Sequence, residues 1–484
     1  MAPETPARNA RDLRRRIWPD WMTRDVSLVL FARFFMSGGR ALAGIVTPIY
    51  LALIGFNGVS LGWLFVAVAV ASALLTSAVG LLSDRIGRKP FLIGLPLLAA
   101  SAGLVFAFTR SVPLLFLFAA LGSFGRGAGA GAGTIGPYQP AEQALLAEAA
   151  PPRARNDVFG RMAFFSSLGA LIGGGPLATL PDLLPHLGMG GVDGLAGYRV
   201  AFFAMAVLAT IAGLVVIPIA DTRHARPARA ATGSAAGRSW NPLRSVSPVS
   251  WPILLRLWMT NSVNGLAVGF FGPFITYWFF RRYGAGTAAI GALYTVINLA
   301  ALASNLYAPR LAAQLGLVRA IFWSRILQAA LIVPMALAPT FWLAGALYLL
   351  RMQAQRIALP LRQSYVMAVV PSEERGAVSA LSNLPTQVTS ALTPGLAGYI
   401  FDNISLELPF EIGAALQAVN ACLFYFFFHA LRPPEERTPP RADTADAMDA
   451  VDAGEPHTPP DHGLLSARPT GITSMNGPSA PGRG

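Results

Sequence analysis

Long apolar stretches separated by short, arginine-bearing polar loops run along this chain. Twelve of them lie at roughly 26–54, 60–82, 91–108, 113–145, 158–180, 198–219, 254–279, 287–308, 317–338, 341–361, 377–400 and 408–430. An α-helix needs about 20 apolar residues to cross a ~30 Å hydrocarbon core, and these stretches supply them. The fourth is too long for one straight crossing, and its Gly-rich middle with a proline leaves its boundary open. Strong period-2 alternation is missing, which argues against a β-barrel. Residues 1–45 read as a retained first span and not a cleaved leader, because Arg33 and Arg40 interrupt the apolar run and eleven further spans follow. The pattern predicts an all-α integral membrane protein.

Two changes in composition divide the chain. Residues 221–250 turn to Ala, Arg, Ser and Pro, as in Ala230-Ala231-Thr232-Gly233-Ser234, and read as a linker between residues 26–220 and 251–431. Residues 432–484 hold too little apolar content to fold and read as a disordered tail. Residues 1–25 form a short basic N-terminal segment. The two six-span halves read as copies of each other. Pro140, Gln143 and Pro151 recur as Pro360, Gln363 and Pro371 at an offset of 220. Arg33-Phe34-Phe35-Met36-Ser37 parallels Arg256-Leu257-Trp258-Met259-Thr260 at 223, and Leu61-Gly62 parallels Ile290-Gly291 at 229. Two six-helix bundles related by pseudo-twofold symmetry around a central cavity follow from this repeat, and such an architecture suits a transporter.

Composition narrows the function. Of 484 residues 54% are apolar and 13% charged, and mean hydropathy is +0.51, far from the roughly 25% charged residues of soluble domains. The net charge of +13 would suggest nucleic acid in a soluble protein, but here the arginines follow membrane orientation. Placing the N-terminus inside puts 24 basic residues on inner loops and tails, against four (Arg110, Arg199, Arg281, Arg282) on the outer side. Both termini are therefore expected in the cytoplasm of a multi-pass protein of the cell membrane, the inner membrane of a bacterium. Trp18 and Trp21 suit an interfacial anchor. The lone Cys422 cannot form an internal disulfide, and five scattered histidines offer no clustered metal site. No phosphate-cradling Gly-x-x-x-x-Gly-Lys loop is present. The expectation is a transporter and not an enzyme, with no cofactor, no metal and no nucleic-acid partner, working as a monomer in membrane lipid.

Between spans two and three the chain reads Gly80-Leu81-Leu82-Ser83-Asp84-Arg85-Ile86-Gly87-Arg88-Lys89-Pro90. Gly80 permits close helix packing, Gly87 a tight turn, and Asp84 is a carboxylate at the membrane boundary that can face a helix N-terminus and guanidinium groups. This loop resembles the signature of the major facilitator superfamily. The resemblance implies a conformational latch of Gly80, Asp84, Arg85, Gly87 and Arg88 against the start of span eleven, near Glu373-Glu374-Arg375-Gly376. That latch holds the outward-open state and releases when the protein opens inward. The second-half copy, Pro309-Arg310 and Gly316-Leu317-Val318-Arg319, lacks the acid. Gly160, Gly169, Gly173 and Gly175-Pro176 in span five resemble the Gly-Pro signature of the superfamily's antiporters, with the pair displaced by two positions; close helix packing is the alternative role. Arg126 in Gly125-Arg126-Gly127 resembles the span-four arginine of its proton-linked drug antiporters.

Ionised side chains deep in a membrane usually face water or a partner. Arg40, Arg126 and Arg351 fall well inside spans one, four and ten, with Arg33 and Arg356 shallower. The resemblance places spans one, four, seven and ten around the cavity, so Arg40, Arg126, Arg351, Asn261, Asn264, Gln143 and Gln363 are candidates to bind substrate there. Snorkelling, or bonding to backbone carbonyls, is the alternative. Among 24 acids, Glu142 is the single intramembrane candidate, and its repeat mate is Arg362. Glu142 and Arg362 are expected to pair near the pseudo-twofold axis as an inner gate, or Glu142 to titrate as substrate and proton exchange. The expected function is secondary active transport of a small organic solute by alternating access: efflux in exchange for protons, or uptake or exchange of an organic anion.

Overall fold

The computed structural model of the chain describes residues 22–123, 136–149, 155–188, 194–219, 247–248, 250–370 and 374–429. The N-terminal segment up to Trp21, most of the linker, the tail and Arg126 lie outside the described residues, as do the side chains of Asp84 and Arg85.

Each of the twelve apolar stretches forms helix. Span 1 is Arg24–Leu53, span 2 Gly58–Ile86 and span 3 Lys89–Phe108. Span 4 contributes Val112–Leu121 and Tyr138–Ala149; span 5 is Arg155–Gly174, followed by a 3-10 turn at Pro176–Thr179 and a short helix Leu180–His186. Span 6 is Ala196–Val215, and span 7 is Trp251–Phe271 continued by Ile275–Tyr283. Spans 8 to 12 are Thr287–Leu315, Leu317–Ala336, Phe341–Val369, Arg375–Asn403 and Leu408–Phe428. Among the described residues, eight of these segments are long and apolar enough to cross a membrane on length and composition alone. Spans 4, 8, 10 and 11 are not among those eight; span 4 is interrupted, and spans 10 and 11 carry polar side chains along their length.

Local chemistry sets the ends. Thr23, Asn57 and Thr340 each accept a hydrogen bond from a first-turn N–H of the helix they precede, relieving one of its four unpaired donors. Pro90, Pro113, Pro252 and Pro409 stand in first turns, where a missing N–H costs nothing. Gly87 (φ +97°) and Gly316 (φ +77°) make the equivalent turns after spans 2 and 8. In span 4 the first helix stops at Leu121 and the next begins at Tyr138, and the described edges of this break, Ser123 (φ +54°) and Gly136 (φ +61°), are both left-handed. The fourth stretch, too long for one straight crossing, is described as two shorter helices, and residues 124–135 between them lie outside the described residues.

Within each half the helices pack through small residues. Spans 1 and 5 cross so closely that a Cβ on Gly169 would overlap the Phe34 carbonyl oxygen. One on Gly173 would overlap that of Gly38. Two of the antiporter-like glycines therefore serve close packing, whereas Gly160 has open space where its Cβ would be. Large apolar side chains such as Trp63, Leu74, Phe108, Trp342 and Phe426 are left exposed on the outside, where a bilayer would cover them.

Arg24, Arg88, Lys89, Arg161 and Arg319 mark one end of the bundle, called the basic end below; Arg110, Arg199, Arg281 and Arg282 mark the opposite end. The halves join at the opposite end. Span 2 meets span 11 there, with Gly62 against the Pro394 carbonyl and Gly398 against that of Gly58. The end of span 5 meets span 8 in the same way, Gly291 against the Gly174 carbonyl and Gly175 against Thr295. Phe65 and Phe274 stack edge-on across the halves, 5.2 Å apart. Toward the basic end, Gly80 of span 2 has nothing within 4 Å of its Cβ position. Span 2 is thus closely crossed by span 11 at the opposite end and not at Gly80; the Asp84 and Arg85 side chains of the expected latch lie outside the described residues.

Candidate functional site

Charge lies inside both halves. The buried charged side chains among the described residues are Arg33, Glu142, Arg325 and Arg351, three guanidinium groups to one carboxylate. Arg33 lies nine residues into span 1 and Glu142 seven from the end of span 4, about 10–13 Å deep at 1.5 Å per residue. Arg33 Nη1 donates to Glu142 Oε2 in a fully buried ion pair. Beside it, the Ser37 and Ser166 hydroxyls join spans 1 and 5 at 2.9 Å. The second carboxylate oxygen of Glu142 has no hydrogen-bond partner among the described residues.

This structure does not bring Glu142 and Arg362 together. Arg362 Nη1 and Nη2 instead donate to Asn261 Oδ1 of span 7 and Asn383 Oδ1 of span 11, both at 2.9 Å. The repeat mates sit at equivalent depths, but each bonds inside its own half. Spans 1 and 4 are neighbours in one half and spans 7 and 10 in the other, and a bond between halves at this depth needs the basic end closed.

The other candidates divide. Arg40 points to the break in span 4, where its Nη2 donates to the Ser123 carbonyl at 3.3 Å. A Cβ on Gly136 would lie 3.1 Å from Arg40 Nη1, so the glycine makes room for the guanidinium. This is the backbone-carbonyl role weighed against cavity function. Arg351, in the middle of span 10, lies 4.3 Å from the Phe271 ring centroid and 5.8 Å from that of Tyr348, with no carboxylate in contact among the described residues. Arg356 Nη2 donates to Asn298 Oδ1 of span 8 at 3.1 Å. Asn261 is held by Arg362 and donates to the Ser382 carbonyl, and Asn264 accepts from Asn420 Nδ2 at 3.2 Å. Gln143 is half-buried and Gln363 exposed.

Several polar residues escaped the pattern of the sequence. Arg325 of span 9 is 5% exposed and lies 5.5 Å over the Phe424 ring; its place in the middle of an apolar span was the available signal. The Tyr294 and Tyr348 hydroxyls meet at 3.2 Å below Arg351, a contact between spans 8 and 10 that one-dimensional spacing does not reveal.

Outside the spans, Glu374 precedes span 11 and its Oε2 accepts the Ser247 N–H at 3.2 Å, tying the incoming linker to that helix. Hydrogen bonds from Ser247 hold the Glu374 carboxyl below the usual carboxylate range. A depressed folded-state pKa gives a contact present above the ordinary carboxylate pKa and lost as pH falls through the depressed one. Glu374→Gln is therefore expected to raise hydrogen exchange at Ser247 at neutral pH. The difference from the parent should vanish in acid.

Comparisons agree with this architecture. Residues 29–263 and 257–474 match the family described as Major Facilitator Superfamily. Multidrug resistance protein MdtG of Proteus mirabilis is 23% identical over 424 residues, 86% of this chain and 97% of that protein. The crystal structure of a mutant of nucleoside transporter NupG aligns with a TM-score of 0.64 at 14% identity, covering 84% of this chain and all of that one. A bacterial homolog to the human lysosomal transporter Spinster, inward-facing and occupied, aligns at 0.63 and 14%, covering 86% of this chain and 98% of that one. With both halves matched in sequence, and twelve helical spans meeting in repeat-related pairs, the chain belongs to the major facilitator superfamily and is a multi-pass membrane transporter.

Proposed function

We propose that this transporter exports a small organic anion by alternating access, with Glu142 as the group that exchanges protons. The observation that carries the reading is the imbalance of interior charge: Arg325, Arg351, Arg356 and Arg362 of the second half meet amides and rings, and the buried carboxylate of the first half is already taken by Arg33. A guanidinium in a low-dielectric site that lacks an acid favours an anionic or electron-rich partner. The half-buried Arg356 and Arg362 can meet that substrate from the side open at the basic end. Counting arginines makes this end cytoplasmic, so the described state accepts substrate from inside. Export is the direction suggested by the multidrug resistance relative.

Glu142 fits proton exchange because, among the described residues, its charged state is held by Arg33 alone, and protonation would release that hold. Uptake or exchange of the same anion uses the same residues, and the imposed gradient that drives flux separates the directions. Purified protein in liposomes is expected to move organic carboxylates or phosphates in preference to cations. Arg356→Gln and Arg362→Gln should each raise the half-saturating anion concentration about tenfold, as expected for losing a hydrogen-bonded charge partner. Wild-type affinity in both, or preference for cations, removes the anion reading. Glu142→Gln should flatten the dependence of flux on the pH gradient; an unchanged profile with full activity removes Glu142 from coupling.

A further inference from the structure

Two carboxylates outside the charged interior occupy equivalent places in the two halves, and each reaches across to the other half. Asp402, in the last turn of span 11, accepts from the backbone N–H of Gly58 at 2.9 Å and of Val59 at 2.7 Å, in the first turn of span 2. Asp182, in the short helix after span 5, accepts from the N–H of Ala288 at 2.7 Å, in the first turn of span 8. The correspondence follows the sequence repeat. Asp182 and Asp402 are 220 positions apart, like Gln143 and Gln363; Val59 and Ala288 are 229 apart, like Gly62 and Gly291. In both places a glycine admits the carboxylate. A Cβ on Gly58 would lie 2.8 Å from Asp402 Oδ1, and one on Gly286 would lie 2.5 Å from Asp182 Oδ2.

The first four N–H groups of a helix have no partner within it. In span 2 the three donors after the cap are accounted for: Asp402 takes Gly58 and Val59, and the Asn57 side chain takes Ser60 at 2.9 Å, while the Asn57 carbonyl accepts the first intrahelical bond, from Leu61 at 3.0 Å. Two of these three bonds thus come from the other half of the molecule. A carboxylate there is favoured by both the charge-assisted bonds and the positive end of the helix dipole. Span 2 therefore keeps its bonds at Gly58 and Val59, and span 8 its bond at Ala288, only while the opposite end is shut.

We propose that Asp182 and Asp402 are gate residues, a twin clamp that holds the opposite end closed and must release for the chamber to open there. Both lie at the rim, where water can take over the freed N–H groups, so the clamp can open and re-form in each transport cycle. The inference rests on the family's two-half architecture and not on the substrate, so it stands or falls apart from the anion reading.

The test uses the full chain in lipid nanodiscs with Cys422→Ser, and spin labels at Val112→Cys and Leu337→Cys, exposed sites at the opposite end of the two halves. Pulsed electron resonance then reads the distance between the halves. In Asp182→Ala/Asp402→Ala the ratio of long to short distances should rise about tenfold over the parent, the scale of losing charge-assisted hydrogen bonds. Asp182→Asn and Asp402→Asn, which keep an acceptor without the charge, should fall between. An unchanged distribution in the double variant, eluting as folded monodisperse protein, overturns the proposal. If the alanine double fails to fold, the asparagine variants decide by the same criterion, and parental distances in both overturn it.

Discussion

Glu142→Ala is expected to lower stability by about 3–5 kcal/mol, the usual cost of removing one partner from a buried ion pair. The loss comes less from the attraction given up than from Arg33, 2% exposed and deprived of the Glu142 carboxylate by the change. Water cannot easily reach it, since Arg33 is enclosed by spans 1, 4 and 5. Arg33→Met in the same chain should restore most of the lost stability, because an apolar side chain of similar length carries no charge to desolvate. A double-mutant cycle on thermal unfolding in detergent measures the coupling. A coupling near zero would mean that the pair is not formed in the folded protein. Glu142→Gln separates the two roles of this residue: it keeps the shape, so its stability should lie between the parent and alanine, while the response of flux to pH should be lost.

Glycine substitutions should divide by the seam in which they lie. Gly173→Val and Gly169→Val put side-chain atoms where the Gly38 and Phe34 carbonyls already stand. Spans 1 and 5 belong to one half and have no alternative arrangement, so each change should cost about 3 kcal/mol or more, at the upper end of overpacking. The gain in helix propensity over glycine, about 0.5–1 kcal/mol, is too small to offset it. Poor yield and early thermal unfolding are the expected readouts. Gly398→Ala meets a comparably close obstacle, the Gly58 carbonyl, but that contact lies between the halves. Here the molecule can relieve the clash by separating its opposite end. Gly398→Ala should therefore unfold near the parental temperature and shift the distance between the halves. If Gly398→Ala unfolds as early as Gly173→Val, the inter-half seam is part of the permanent core and not a moving contact.

Membrane character, helix number and the repeat were legible from the amino-acid sequence alone, because each depends on local or periodic properties. Apolar runs of membrane-spanning length must form helices to satisfy their backbone groups in lipid, whatever surrounds them. The offsets of 229 and 220 align a contact that recurs across the halves, Gly62 against the Pro394 carbonyl and Gly291 against that of Gly174. The turn at Gly87 was likewise evident from its position between two apolar runs, and its positive φ is what a residue without a Cβ permits.

Partner choice was decided by tertiary structure. The sequence repeat makes Glu142 and Arg362 mates, yet Glu142 bonds Arg33 and Arg362 bonds two asparagines, because each finds its partners within its own half. Arg40 sat as deep as a cavity arginine should, but the break in span 4 offered it the Ser123 carbonyl. Asp182 and Asp402 looked like ordinary loop acids until packing brought each to the N-terminus of a helix in the other half. Apolar periodicity records which segments leave water; it does not record which buried polar group will lie within hydrogen-bond reach of another. That depends on how two bundles are tilted, and the tilt of a transporter changes as it works.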